Sequence, residues 1–171
     1  MLIVLRNLLL IALALFIQAS IASKISVFGV TPDLVLLVLV YIGISGGRVN
    51  GAIFGFLAGF LQDTFAPEHM GINALAKSIV GFVVGSGQRG IVAESYVVQG
   101  SIVFGAVLLH DLVYFVCYTG RDLPGIIFNL LRYGVGAALY TAALSVFLSI
   151  LLSIFRARRG VSFDAGRLFS D

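Results

Sequence analysis

The sequence predicts an all-α, polytopic membrane bundle of about six transmembrane helices. Three observations carry that prediction. Of the 171 residues, 60% are hydrophobic and only 11% are charged, against about 25% charged in a soluble domain. Mean hydropathy is +1.09. Apolar runs recur along the chain and are separated by short Gly-, Pro- and Asp-containing breaks. So little charge cannot cover a globule in water, so lipid is the natural solvent. Residues 1–155 read as one transmembrane domain and 156–171 as a short basic tail.

A spanning helix needs about 20 mostly apolar residues. The first run is Leu8 to Ala22, with Arg6 before it. Its Ser20-Ile21-Ala22 end also fits a cleavable signal peptide, and it is read here as a retained span. The second run, Leu34 to Ser45, follows Thr31-Pro32-Asp33. Proline is tolerated in a first turn, and Asp33 can accept from the free amides there. Gly46 to Asn50 is a turn, and the third run is Gly51 to Phe65. The fourth, Asn73 to Gly85, follows Gly71-Ile72. The second, third and fourth runs are short, so a re-entrant pair among four full spans is the alternative. The fifth is Val97 to Tyr118 and the sixth Ile126 to Phe155, joined by Gly120 to Gly125.

Orientation follows the Lys and Arg bias of the loops. With both termini cytoplasmic, the inner side holds Arg6, Arg48, Arg89, Arg156, Arg158, Arg159 and Arg167, and the outer loops hold Lys24 and Arg121. The Arg156, Arg158 and Arg159 cluster reads as the cytoplasmic end of the last helix, beside anionic headgroups. It is not a nucleic-acid patch. Cys117 is the only cysteine, so no internal disulfide can form.

Ionisable side chains inside spans are costly, and each marks a candidate site. They are Asp63, Lys77, His110, Asp111 and Arg132. Asp111 and Arg132 fall at similar depth on consecutive helices, about 10 Å below the outer surface at 1.5 Å per residue. They are expected to pair. Asp63 and Lys77 flank the Ala66 to Gly71 loop and form a second expected pair. His110 and Asp111 are sequence neighbours, about 100° apart on a helix, and are not expected to face each other. Two histidines without HExxH spacing give no metal site, and no GxSxG or phosphate-loop motif occurs. No catalysis and no cofactor is expected.

Gly51, Gly55 and Gly59 form a stripe at four-residue spacing, repeated at Gly81 and Gly85 and by Ser145, Ser149 and Ser153. Such stripes let helices approach closely, within the bundle or against a partner's helix.

Thr31-Pro32-Asp33-Leu34, then Gly55-Phe56-Leu57-Ala58-Gly59 leading to Asp63, then Gly71-Ile72-Asn73-Ala74-Leu75 with Gly81-Phe82, resemble the rod-shape-determining membrane protein family MreD. The motifs cover Thr31 to Gly85; the back half is similar in hydropathy only. The resemblance implies a non-catalytic scaffold of the bacterial elongation machinery in the inner membrane. Implied partners are membrane lipid, the MreC transmembrane helix, RodA with its penicillin-binding transpeptidase, and MreB indirectly. The implied fold is that of the substrate-binding S subunit of energy-coupling-factor transporters. By the same resemblance Pro32 and Asp33 cap the second helix, Gly55, Gly59 and Asp63 shape the third, and Gly71, Asn73, Ala74 and Leu75 form the outer turn. The rival reading is a small-molecule, vitamin-type transport subunit. The absence of Trp and of an evident aromatic cage counts against it.

Overall fold

The computed structural model describes residues 2–21, 24, 30–65, 70–87, 95–120 and 122–158. Helix α1 is Leu2–Ile21, α2 Leu34–Asp63, α3 Ile72–Ser86, α4 Tyr96–Thr119 and α5 Leu123–Asn129. A π-turn, Leu130–Gly134, joins α5 to α6, Val135–Arg158. Backbone polar groups in lipid have no water to turn to, and helices satisfy them internally.

Among the described residues, four helices are long and apolar enough to cross a membrane: Leu2–Ser20, Leu34–Asp63, Tyr96–Thr119 and Leu123–Phe155. By length and composition that measure gives four, against the six or so expected, and it takes Leu34–Asp63 as a single helix. Ile72–Ser86 is a shorter apolar helix. The last helix continues through Arg158, three residues beyond the boundary expected at Phe155. Residues 159–171 of the expected tail, and the loop residues Pro67, Glu68, His69 and Arg89, lie outside the described residues.

α2 is not a straight rod. Gly47 has φ 77 and ψ 178, non-helical values inside the helix. A methyl placed on Gly51 would sit 3.3 Å from Gly43 Cα. In a straight helix those positions are about 12 Å apart. The chain therefore doubles back at Gly47, and α2 is a hairpin of two arms, 34–46 and 48–63. Only Gly adopts this backbone region readily. The Asn50 amide donates to the Gly46 carbonyl at 2.8 Å and satisfies one acceptor that the reversal frees.

The second arm packs antiparallel on α3 with backbone against backbone. Cβ atoms added at Gly59, Gly55 and Gly51 would strike the carbonyls of Asn73, Lys77 and Gly81 respectively. One added at Gly85 would lie 2.6 Å from Arg48 Cα. Each four-residue step on one helix is matched by a four-residue step on the other. Such closeness maximises dispersion and allows Cα–H···O contacts. Ser78 Oγ adds a bond to the Ala52 carbonyl at 3.2 Å.

The first arm supplies much of the core: Val35, Leu36, Leu39, Val40 and Ile42 are buried against Ile11 and Ala14 of α1, Val80 of α3, Val103 and Val107 of α4 and Ala138 of α6. The outer faces of the long helices are rich in exposed Leu, Ile, Val and Phe, as lipid-facing surfaces require. Ser145, Ser149 and Ser153 return their hydroxyls to carbonyls of their own helix at 2.7–2.8 Å.

Candidate functional site

The polar side chains converge at the helix ends that carry the Thr31 to Asp33 and Asp63 to Gly71 segments. Pro32 is fully buried, and Asp33 is the N-cap of α2. Its Oδ1 accepts from the Leu36 amide at 2.9 Å. Two other helices complete the cap. Gln18 Oε1 of α1 accepts from the Val35 amide at 3.1 Å. Thr141 Oγ of α6, fully buried, accepts from the Asp33 amide at 3.1 Å.

The second helix start is capped from outside. Gly71 precedes α3 with φ 97 and offers no side chain. Asp63, fully buried, reaches across from the end of α2. Its Oδ2 accepts from the amides of Gly71 at 2.9 Å and Ala74 at 3.0 Å. Its Oδ1 accepts from the Asn73 amide at 3.2 Å and from Asn73 Nδ2 at 2.9 Å. A carboxylate at a helix N-terminus meets both free donors and the positive end of the dipole. Leu75 of the same segment is exposed.

Lys77 lies one turn further along α3, 1% exposed. The expected Asp63–Lys77 pair does not form, because Asp63 is already saturated by the α3 amides. Lys77 Nζ instead sits 2.9 Å from Asp33 Oδ2 and 3.1 Å from His110 Nε2. His110 Nδ1 lies 2.9 Å from Asp111 Oδ1. Lys77 can only donate, so Nε2 accepts and the ring proton sits on Nδ1, donating to Asp111. A neutral imidazole thus separates the Lys77 ammonium from Asp111. The expectation that His110 and Asp111 would not meet is overturned. Neighbours on a helix diverge by about 100°, yet the side-chain tips meet, Nδ1 to Oδ1 at 2.9 Å.

The expected Asp111–Arg132 pair is also absent. The Arg132 guanidinium lies over the rings of Phe128 and Tyr133, 5.6 and 5.5 Å from their centroids. It sits in the π-turn on an exposed face. The π-turn inserts a residue and rotates the register that the depth estimate assumed. Gly134 lines up with Asp111 instead: a methyl there would lie 3.2 Å from Asp111 Oδ2.

These groups border a cavity of about 320 Å³. Asp33, Lys77, His110 and Asp111 meet there with the amides of Gln18, Gln62 and Asn73, and with Tyr114, Phe115 and Tyr133. This aromatic wall is not legible along the chain, because its members come from two helices. The signal that existed was the four-residue spacing of His110, Tyr114 and Tyr118. Those rings stack at 6.1 and 6.0 Å along α4. Among the described residues no group of three or more His, Cys, Asp or Glu is arranged to hold a metal ion.

The glycines Gly51, Gly55, Gly59, Gly81 and Gly85 are all buried between α2 and α3. Gly43, on the first arm of α2, joins them, with Gly81 O and Gly85 N at 3.4 Å from an added methyl. No curated protein and no solved structure matches the chain. A family model does, over residues 1–157, described as rod shape-determining protein MreD. The chain, an all-helical multi-pass membrane protein, therefore belongs to the MreD family.

Proposed function

We propose that this chain is a non-catalytic scaffold of the bacterial elongation complex. It sits in the inner membrane with both termini cytoplasmic, and it binds the MreC transmembrane helix and the RodA–transpeptidase synthase. The observation that carries this reading is the family match over residues 1–157, because rod-shape determination is that family's role. In this reading the two α2 arms and α3 cross the bilayer together, giving six crossings.

The Gly51-Gly55-Gly59 stripe is closed by α3, so a partner helix must use another face. α1 offers one. Leu2, Leu5, Arg6, Leu9, Leu10 and Leu13 line a shallow apolar furrow of about 350 Å³. A single transmembrane helix laid along α1 would fill it by van der Waals packing. The test is affinity purification of the tagged chain from gentle detergent with mass spectrometry. MreC should be recovered, and Leu9→Ala with Leu13→Ala should lower its yield several-fold while the chain stays folded. A folded, inserted chain that recovers neither MreC nor the synthase sinks the proposal.

The cavity favours a second reading, a small-molecule transport subunit. Recovery of an ATPase-coupled transport module in the same purification would select it.

A further inference from the structure

We propose that the cavity between α2, α3, α4 and the last helix binds an organic ammonium group, with Asp111 as its counter-ion and Tyr114, Phe115 and Tyr133 as its aromatic wall. The charge count comes first. Asp33 and Asp111 carry two negative charges and Lys77 one positive, which leaves one negative charge when His110 is neutral. The hydrogen bonds require that neutrality, since His110 Nε2 faces the Lys77 ammonium at 3.1 Å. Lys77 is held on Asp33 at 2.9 Å. Asp111 has the imidazole between itself and that cation, and only its Oδ1 is engaged, at 2.9 Å. The Arg132 guanidinium lies over Phe128 and Tyr133, with no salt bridge to Asp111. Asp111 is therefore a partly buried carboxylate in an apolar protein with no cation of its own among the described residues. Such a charge is costly unless it is paired.

The walls decide which cation fits. A divalent metal wants six or more oxygens in close array, and the two carboxylates are separated by Lys77 and His110. An alkylammonium group is instead attracted to carboxylate and ring faces together. The cavity, about 320 Å³, lies at the small end of ligand pockets. It suits a small amine or the amine of a lipid headgroup. Tyr133, 42% exposed, stands at its edge, where a headgroup would enter from the lipid side. This inference is independent of the scaffold reading, since an ammonium site and a partner-binding surface can fail separately.

The full-length chain in detergent would be titrated calorimetrically with ethanolamine and with tetramethylammonium. In parallel, native mass spectrometry would follow its release from nanodiscs containing equal phosphatidylethanolamine and phosphatidylglycerol. Binding of the soluble cations, weakened at least tenfold by Asp111→Asn, assigns the site to a free amine. Retention of phosphatidylethanolamine alone, lost in the same variant, assigns it to a lipid headgroup. Asp111→Asn keeps the acceptor for the His110 proton, and an unchanged melting temperature certifies its fold; Tyr133→Ala serves as a second variant and should weaken binding several-fold. No ammonium binding in either arm, a preference for phosphatidylglycerol, or equal binding by a folded Asp111→Asn chain would overturn the proposal.

Discussion

Four hydrogen bonds converge on the Asp63 carboxylate at 2.9–3.2 Å, three of them from the backbone amides of Gly71, Asn73 and Ala74 at the start of α3. Asp63→Ala would leave those donors buried without partners, and charge-assisted bonds are worth about 1.5–3 kcal/mol each before they couple. A loss of about 3–5 kcal/mol is expected, read as a large drop in detergent melting temperature, with Asp63→Asn recovering part of it. If Asp63→Ala melts with the parent, the cap contributes nothing. Lys77 makes a separate prediction. Lys77→Met strands Asp33 beside an apolar side chain, and breaking a buried pair costs about 3–5 kcal/mol. The double variant with Asp33→Asn should regain most of that. Additive losses in the cycle would mean that the pair is not coupled. The sequence marked Asp63, Lys77, His110 and Asp111 as polar exceptions and Asp33 as a helix cap; Gln18 and Thr141 carried no mark. It did not reveal the partners, because depth can be read along a helix whereas pairing depends on how helices turn toward each other. Lys77 could be placed beside Asp63 by loop length alone. Only the doubling back of α2 brings Asp33, 44 residues away in sequence, to its side.

Among the elements, the α2 hairpin and its seam with α3 are the most constrained by glycine. Gly55→Ala would drive a methyl into the Lys77 carbonyl, and overpacking of this kind costs about 1–3 kcal/mol or separates the helices. Gly105 on α4 is the matched control, with nothing within 4 Å of an added methyl. Gly105→Ala should be neutral or gain up to about 1 kcal/mol from helix propensity. Thermal unfolding of both variants checks the contrast, and equal effects would show that the seam is loose. Gly47→Ala forces an L side chain to φ 77, a region costing about 1–3 kcal/mol for other residues, and should lower the melting temperature similarly. The positions of the apolar runs and the Gly46 to Asn50 break were legible, since hydropathy and turn chemistry are local. The π-turn at Leu130–Gly134 was not, because Leu-Leu-Arg-Tyr-Gly carries no propensity that separates it from an ordinary helical turn.

At the scale of the whole molecule, the chain turns its apolar faces outward and gathers the buried Asp63, Lys77, His110 and Thr141 with Asp33 and Asp111 near one end of the bundle. Among the described residues no polar segment outside the helices marks which end that is, so orientation rests on the basic loops. The hairpin makes this testable. If the arm 48–63 crosses the bilayer, its two ends emerge on opposite sides. Asn50, near the Gly47 reversal, and Met70, just before α3, are both exposed. Cys117 is the only cysteine and is exposed, so Cys117→Ser gives a clean background. Met70→Cys and Asp122→Cys should react with a membrane-impermeant maleimide on intact cells, and Asn50→Cys only after permeabilisation. That pattern puts the Asp33, Lys77, His110 and Asp111 cavity in the outer half of the membrane, where an external amine or an outer-leaflet headgroup can reach it. The reverse pattern would turn the cavity toward the cytoplasm and invert the charge-bias reading. Equal labelling at positions 50 and 70 would mean that the α2 arm and α3 enter and leave on one side, a re-entrant pair among fewer crossings, and the six-crossing proposal would fall while the seam between them stood.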